Sequence, residues 1–145
     1  FRLRIDHLGH VLALFVAHTP VATEKARAVL PDEVSRESAV FNIARAALLV
    51  RAISAKRPSL LGHALRDRLH QPHRLHLYPW TQEVLHAADA AGAYGAAICG
   101  AGPSVFAFCP PTMATKVAKA MAAAAPQHSR GLVTRVTDTG MFRHL

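Results

Sequence analysis

Apolar residues in this chain fall into short runs and helical stripes that prolines, glycines and threonines separate. The continuous run Val11 to Ala17 has the length of a strand and precedes a Thr-Pro pair, so it predicts a buried strand. Thr23 can then cap a short helix, Glu24 to Leu30, which a proline ends. Because Thr23 and Arg27 stand four residues apart, they would share one face of that helix.

The longest helical stripe predicts a helix from about Ser35 to Ala55. Its apolar positions recur at helical spacing: Val40, Ile43, Ala47, Val50 and Ile53, widened by Phe41 and Leu48. We therefore expect this helix to be the main packing helix of the fold.

Further elements follow in the second half of the chain. Leucines at positions 61, 65 and 69 predict a helix that ends by Pro72, and an irregular loop rich in His and Arg follows through Pro79. Thr81 and Thr112 each start a further helix, and the alternating segment Leu132 to Thr137 predicts a last strand. With a strand pair around residues 100–104, the order favours an α+β fold with an antiparallel or mixed sheet covered by helices on one side.

The turn between that strand pair consists of Gly100, Ala101, Gly102, Pro103 and Ser104. Such a turn is most often a plain hairpin, although its backbone amides could also face an anion. It lacks the Gly-Lys-Ser/Thr of a nucleotide-binding P-loop, and a strand rather than a helix follows it. The turn by itself leaves both interpretations open.

Composition and charge narrow the function classes. The 145 residues are 51% apolar and suit a single domain over positions 1–145, and a net charge of +8 permits an anionic ligand or partner. The basic residues are scattered and aromatics are few, so nucleic-acid binding is not predicted. No apolar run reaches the roughly 18 residues of a membrane span and no cleavable signal is visible, so we expect a cytoplasmic protein.

Two kinds of catalytic site are disfavoured. His70, His73 and His76 stand three residues apart, but Pro72 breaks the helix that would align them and no carboxylate or thiol lies in that segment, so no metal site is predicted. Ser104 follows Gly-Pro and does not form the elbow of a serine hydrolase.

Three charged residues lie just before this histidine segment. Arg66, Asp67 and Arg68 are expected to form a solvated helix face with modest ion pairing. Arg27 and Arg74 are more informative, since a guanidinium at the edge of an element can hold a carboxylate or phosphate through two parallel hydrogen bonds.

Four segments together resemble a known family. They are T-E-K-A-R-A-V-L-P at 23–31, A-V-F-N-I-A-R-A-A-L-L-V at 39–50, D-R-L-H-Q-P-H-R at 67–74 and C-G-A-G-P-S-V-F-A at 99–107. In order and spacing they are similar to the C-terminal half of homoserine kinases, in the superfamily of galactokinase, homoserine kinase, mevalonate kinase and phosphomevalonate kinase. The resemblance implies a ferredoxin-like α/β sandwich with a four-stranded sheet.

The resemblance also implies a function and its residues. Enzymes of this family transfer the γ-phosphoryl of ATP, with Mg²⁺, to the side-chain hydroxyl of L-homoserine on the route to threonine. Residues at the positions of Arg27 and Arg74 hold the substrate's carboxylate, and the residue at Thr23 lies beside it. The turn from Gly100 to Ser104 matches a motif that packs against the phosphate-binding loop and shapes the active site.

The same resemblance implies what the chain does not supply. The phosphate loop and the magnesium carboxylate belong to an N-terminal domain that is absent from this sequence, so no catalytic residue is expected here. We expect the chain alone to be inactive and the full enzyme to be a cytoplasmic homodimer. Cys99 stands where the family usually has Ser, and His73 stands where it usually has Tyr.

Two alternatives stay open at the level of sequence. One is a sibling small-molecule kinase of the same superfamily, which would be expected to lack the paired motifs around Arg27 and Arg74. The other is a basic, non-catalytic ferredoxin-like module that uses its charge to bind an anionic ligand, RNA or an acidic protein.

Overall fold

The computed structural model of this chain describes residues 10–15, 22–125 and 129–135. The described strands form one sheet in the order β2–β3–β1–β4. The strands are β1 (His10–Phe15), β2 (Gly95–Ile98), β3 (Val105–Cys109) and β4 (Thr134–Arg135). Each described pairing is antiparallel, with Ala97 opposite Phe106 and Leu12 opposite Ala107. The predicted α+β class is confirmed, and positions 16, 17, 136 and 137 of the predicted strands lie outside the described residues.

Six α-helices and two 3₁₀ turns connect the described strands. The helices are α1 (Thr23–Ala28), α2 (Arg36–Ser54), α3 (Leu61–Ala64), α4 (Gln71–Arg74), α5 (Thr81–Ala90) and α6 (Ala114–Ala123), and the 3₁₀ turns are Pro58–Leu60 and Pro111–Met113. Across the described ranges, none of the helices combines the length and the apolar character that crossing a membrane requires.

Helix starts depart from the sequence prediction at several points. Thr23 and Thr81 are the first helical residues of α1 and α5 rather than their caps, and α6 begins after Thr112. Ser35 does cap α2, because its side-chain oxygen accepts a hydrogen bond from the Ser38 amide at 3.1 Å. The long helix was therefore predicted to within a residue at each end.

The main core lies between one face of the sheet and helices α5 and α6. Alternate residues of β3, Val105, Ala107 and Cys109, are buried against this helix pair. The helical side of the cluster is formed by buried residues of α5 and α6 and the turns beside them: Val84, Ala88, Ala91, Ala114, Val117 and Met121. This packing positions β2 and β3, and with them the turn that joins the two strands, against α5 and α6.

A smaller cluster lies on the opposite face of β3. Phe108 points there and packs against buried Ala52 of α2 and Leu61 of α3. Helices therefore contact both faces of the sheet, and the prediction that they cover only one side was wrong. Phe106, two residues before Phe108 on β3, lies edge-on to it, with ring centroids 5.4 Å apart.

The predicted packing face of α2 was wrong at most of its positions. Val40, Ile43 and Val50 are 58%, 69% and 49% exposed, respectively. The core contacts come from the C-terminal half of the helix, where Ala52 is fully buried and Leu49 packs beside it together with Ile53, which belongs to the predicted stripe. Apolar residues lie on several sides of α2, so helical spacing alone could not identify which side α3 covers.

The segment between α3 and α5 differs from its prediction as well. The helix on Leu61 ends at Ala64, and a separate one-turn helix, α4, occupies the first part of the predicted irregular loop. Pro72 is the second residue of α4, a position that proline tolerates because the amides of a first turn have no partner within the helix.

Candidate functional site

Three elements surround a cavity of about 480 Å³: the exposed side of α1, the short helix α4 with its preceding turn, and the glycine turn between β2 and β3. Its lining residues are Thr23, Arg27, Asp67, His70, Gln71, Arg74, Ile98, Gly100 and Ala101. Five of the eight residues that the family resemblance assigns to the site thus line one cavity: Thr23, Arg27, Arg74, Gly100 and Ala101. The other three, Gly102, Pro103 and Ser104, belong to the same turn but do not line it.

The two arginines differ in their surroundings. Arg27 is exposed, whereas Arg74 is only 8% exposed. Arg74 Nε donates to the carbonyl oxygen of Ala26 at 3.2 Å, and its Nη1 donates to that of Gly100 at 2.7 Å. A guanidinium carries five N–H donors, so Arg74 joins α1 to the glycine turn and still has donors for a ligand. The pair forms a cationic site suited to a carboxylate or phosphate.

The glycine turn is a hairpin, as the simpler interpretation predicts, and also a wall of the cavity. Cys99 N donates to Ser104 O at 2.7 Å and Gly102 N donates to Cys99 O at 3.0 Å. Gly100 and Gly102 have φ angles of +58° and +83°, a region that side chains disfavour, and the Gly102–Pro103 peptide bond is cis. The turn therefore depends on its glycines for its shape.

Tyr78 supports the turn from below. Its hydroxyl donates to the carbonyl oxygen of Ala101 at 3.2 Å, and its buried ring lies directly under Gly102. A Cβ atom at Gly102 would come within 2.5 Å of Tyr78 Cε2. Burial raises the pKa of the Tyr78 hydroxyl, although the charge of Arg74 opposes this, so the hydroxyl keeps its proton and acts as a donor.

Asp67 has a different role from the solvated, ion-paired residue that the sequence predicts. Its carboxylate accepts hydrogen bonds from Asn42 Nδ2 at 2.6 Å and from the backbone amides of Leu69, His70 and Gln71. Burial alone would raise the pKa of Asp67, but these hydrogen bonds outweigh it and lower the pKa from 3.8 to about 2. The exposed ion pair nearby is instead between Arg68 and Glu37, at 2.8 Å.

Gln71 connects α4 to the sheet. Its Nε2 donates to Leu65 O at 3.1 Å, and its Oε1 accepts from Ile98 N at 3.0 Å, at the end of β2. Sequence reasoning missed Asn42, Asp67 and Gln71. A local signal was present for Asp67, because Asp side chains often accept hydrogen bonds from backbone amides a few residues further along the chain; the N-cap residue of α4 itself is His70.

The described histidines and cysteines lie apart from one another. In the part of the chain that the structure describes, no three His, Cys, Asp or Glu side chains are arranged to hold a metal ion. His70 lines the cavity and is exposed, whereas His73 lies beside Pro72 and Arg68 at a separate depression. Cys99 is exposed at the start of the turn, and burial raises the pKa of the Cys109 thiol in β3.

Comparison with known proteins shows the family to which this chain is similar. Residues 49–127 match the family described as GHMP kinases C terminal. A homoserine kinase from Gloeobacter violaceus is 49% identical over 120 residues, which cover 83% of this chain and 40% of the relative. A homoserine kinase from Moorella thermoacetica is 43% identical over 116 residues, or 80% of this chain and 39% of the relative.

A solved structure extends the similarity to the fold. The crystal structure of homoserine kinase from Cytophaga hutchinsonii superposes with a TM-score of 0.85 at 29% identity, covering 97% of this chain and 45% of that one. The chain thus spans about 40% of the length of the curated relatives it matches. The family resemblance seen in the four sequence segments is confirmed, and the chain belongs to the GHMP kinases through their C-terminal domain.

Proposed function

We propose that this chain forms the substrate-side, C-terminal part of a homoserine kinase. The enzyme would transfer the γ-phosphoryl of ATP to the side-chain hydroxyl of L-homoserine and produce O-phospho-L-homoserine, on the route to threonine. The observation that carries the proposal is the cavity that Thr23, Arg27 and Arg74 line beside the glycine turn. The names of the relatives from Gloeobacter violaceus and Moorella thermoacetica support the choice of homoserine over the substrates of sibling kinases.

Arg27 and Arg74 would share the carboxylate of the substrate. Arg74 is held in place by its bonds to Ala26 and Gly100, so little conformational entropy is lost when its remaining donors meet the ligand. Arg27 is exposed and adjusts as the ligand arrives. Thr23 lies one helical turn before Arg27 and would place its hydroxyl against the bound amino acid.

The glycine turn would face the phosphate-binding part of the full enzyme. A Cβ atom at Gly100 would meet nothing within 4 Å, so this side of the turn is open to a second segment or a ligand. Residues Gly100 to Ser104 would then contribute their backbone and their small size rather than reactive side chains.

ATP and Mg²⁺ would be bound mainly by an N-terminal domain of the full-length enzyme. Among the described residues, Asp67 is the carboxylate that lines the cavity, and its oxygens already accept hydrogen bonds from Asn42 and three backbone amides. This donor set does not fit a magnesium site. Since phosphoryl transfer depends on positioning and charge stabilisation around the phosphates, we propose that positions 1–145 form a single domain that is inactive alone.

We further propose the ferredoxin-like α/β sandwich for this domain, which the strand order β2–β3–β1–β4 supports. The enzyme would act in the cytoplasm, as a homodimer, and without a nucleic-acid or membrane partner. The +8 charge would then serve the carboxylate of the substrate and the phosphates of ATP beside it.

The test is a phosphorylation assay on the full-length protein with ATP and a panel of acceptors: L-homoserine, D-homoserine, L-serine and mevalonate. We expect L-homoserine to be the preferred acceptor. Arg27→Ala should raise the KM for L-homoserine by about tenfold or more and leave the KM for ATP unchanged, because it removes a carboxylate contact.

The matched control is Arg51→Ala, which removes an exposed arginine of α2 that lines none of the described cavities. It should leave both KM values unchanged. Preference for mevalonate, or an unchanged KM for L-homoserine in Arg27→Ala, would contradict the proposal. Salt-sensitive RNA binding without any kinase activity would favour the basic-module alternative instead.

A further inference from the structure

We propose that Asp67 and Asn42 are positioning residues of this site. Asn42 holds Asp67, Asp67 fixes the start of α4, and α4 thereby sets Arg74 against the glycine turn. The inference rests on the proposed function, because the property it concerns is affinity for the carboxylate of L-homoserine.

Helix α4 cannot hold its shape unaided. It comprises four residues, Gln71–Arg74, and so short a helix is unstable in water because few backbone hydrogen bonds offset its ordering. Asp67 supplies the missing partners, since Oδ2 accepts from His70 N at 2.7 Å and from Gln71 N at 2.5 Å. Its Oδ1 accepts from Leu69 N at 3.1 Å. The carboxylate thus binds two of the amides that the start of α4 leaves unpaired, and one amide just before them.

Asn42 fixes this carboxylate from a longer element. Its Nδ2 donates to Asp67 Oδ1 at 2.6 Å, and its Oδ1 accepts from Arg68 N at 3.0 Å. Asn42 lies within α2, a helix of 19 residues. The segment at 67–68 is therefore held at two points by an element much longer than α4, which makes it a stable base for a functional residue.

Two side chains of α4 connect the position of this helix to the cavity. Gln71 and Arg74 are three residues apart and so lie on neighbouring positions of the helix surface. Gln71 accepts from Ile98 N and Arg74 donates to Gly100 O, so the two contacts flank Cys99 where β2 enters the glycine turn. A displaced α4 would move the buried cation and the turn together.

Asp67 is distinguished from a substrate ligand by its own hydrogen bonds. Although it lines the cavity, both carboxylate oxygens are occupied by Asn42 and the three amides, and Oδ1 also lies 3.4 Å from His70 Nδ1. Its influence on a bound carboxylate therefore passes through Arg74.

The test uses Asp67→Asn in the full-length enzyme. Asparagine keeps the size of the side chain but places an NH₂ group where an oxygen now accepts from backbone amides. The KM for L-homoserine should rise on the order of tenfold, while kcat and the KM for ATP change less than about twofold. The matched control is Glu37→Gln, which removes the exposed carboxylate bound to Arg68 and should leave the KM for L-homoserine unchanged.

A comparison of Asp67→Asn in the wild-type enzyme and in an Arg74→Ala enzyme separates a positioning role from general destabilisation. In an Arg74→Ala enzyme, Asp67→Asn should cause no further rise in the KM for L-homoserine, because the group that Asp67 positions is gone. A purely structural role would instead raise KM by the same factor in both backgrounds, and that result would overturn the inference.

Asn42→Ala provides the same test if Asp67→Asn does not fold, with a rise in KM that is again lost in the Arg74→Ala background. The two proposals fail in different ways. A wild-type enzyme that does not phosphorylate L-homoserine refutes the proposed function. An active wild type with an unchanged KM for L-homoserine in Asp67→Asn, or in Asn42→Ala where that variant replaces it, refutes the positioning role alone.

Discussion

Arg74 and Gly100 are joined by a 2.7 Å hydrogen bond from the guanidinium Nη1 to the backbone carbonyl oxygen. The same guanidinium binds the carbonyl oxygen of Ala26 through Nε, and almost none of the side chain is exposed. One buried cation therefore connects helix α1, helix α4 and the glycine turn, so these three walls of the cavity are held as one unit.

The first prediction concerns the unequal roles of the two arginines in stability. Arg74→Ala should lower the free energy of unfolding by about 2–4 kcal/mol, because the carbonyls of Ala26 and Gly100 lose their partner and a buried side chain is removed. Arg27→Ala, at an exposed position, should change it by less than about 0.5 kcal/mol. Urea denaturation of both variants measures the difference, and equal losses would contradict the structure.

The second prediction separates the two glycines of the turn. Gly102→Ala should destabilise the protein by about 3 kcal/mol or more, because its φ of +83° disfavours a side chain and the new Cβ would meet the Tyr78 ring at 2.5 Å. Gly100→Ala has a similar φ of +58° but open space around it, so it should cost only about 1–2 kcal/mol. Thermal unfolding compares the two variants directly. A Gly102→Ala protein as stable as Gly100→Ala would show that Tyr78 does not press against the turn.

The third prediction concerns stability at low pH. Folding lowers the pKa of Asp67 from 3.8 to about 2, so the folded state favours the ionised carboxylate. The resulting stabilisation is fully present above about pH 4 and is lost as the pH falls through about 2. The difference in unfolding free energy between wild type and Asp67→Asn should therefore shrink steadily over that interval.

Urea titrations of the two proteins at a series of pH values measure this difference. Wild type and Asp67→Asn contain the same other acidic groups, so the pH dependence that those groups cause cancels in the difference between the two proteins. A difference that stays constant between about pH 6 and pH 3 would mean that Asp67 is not held by hydrogen bonds to its ionised form.

The fourth prediction tests which apolar residues form the core. Leu61→Ala should cost about 2–5 kcal/mol, since Leu61 is fully buried against Ala52 of α2. Ile43→Ala in this chain should cost less than about 0.5 kcal/mol, because Ile43 is 69% exposed. Chemical denaturation of the 145-residue chain gives both values. A large loss of unfolding free energy in Ile43→Ala would show that Ile43 packs in the core, as helical spacing predicts.

Much of the local structure was predictable. The approximate bounds of α2 follow from the helical spacing of its apolar residues. The hairpin and the α+β class follow from the glycines and the short apolar runs on either side of them, which are signals that span only a few residues. The exposed face of α2 was not predictable, because its apolar residues occupy several sides and only the position of α3 selects one of them.

For the candidate site, the sequence by itself determined which side chains are available to bind an anion, since Thr23, Arg27 and Arg74 and the glycines at 100 and 102 stand in recognisable local motifs. Only the tertiary structure decided that Arg74 is buried between α1 and the turn, and that Asp67 accepts hydrogen bonds from Asn42 and three backbone amides rather than pairing with surface arginines. The physical reason is distance along the chain. Asn42 and Asp67 are 25 residues apart, and Arg74 and Gly100 are 26 residues apart. Contacts of this kind form only when the packed helices and sheet bring distant segments together, and no local pattern records which partners will meet.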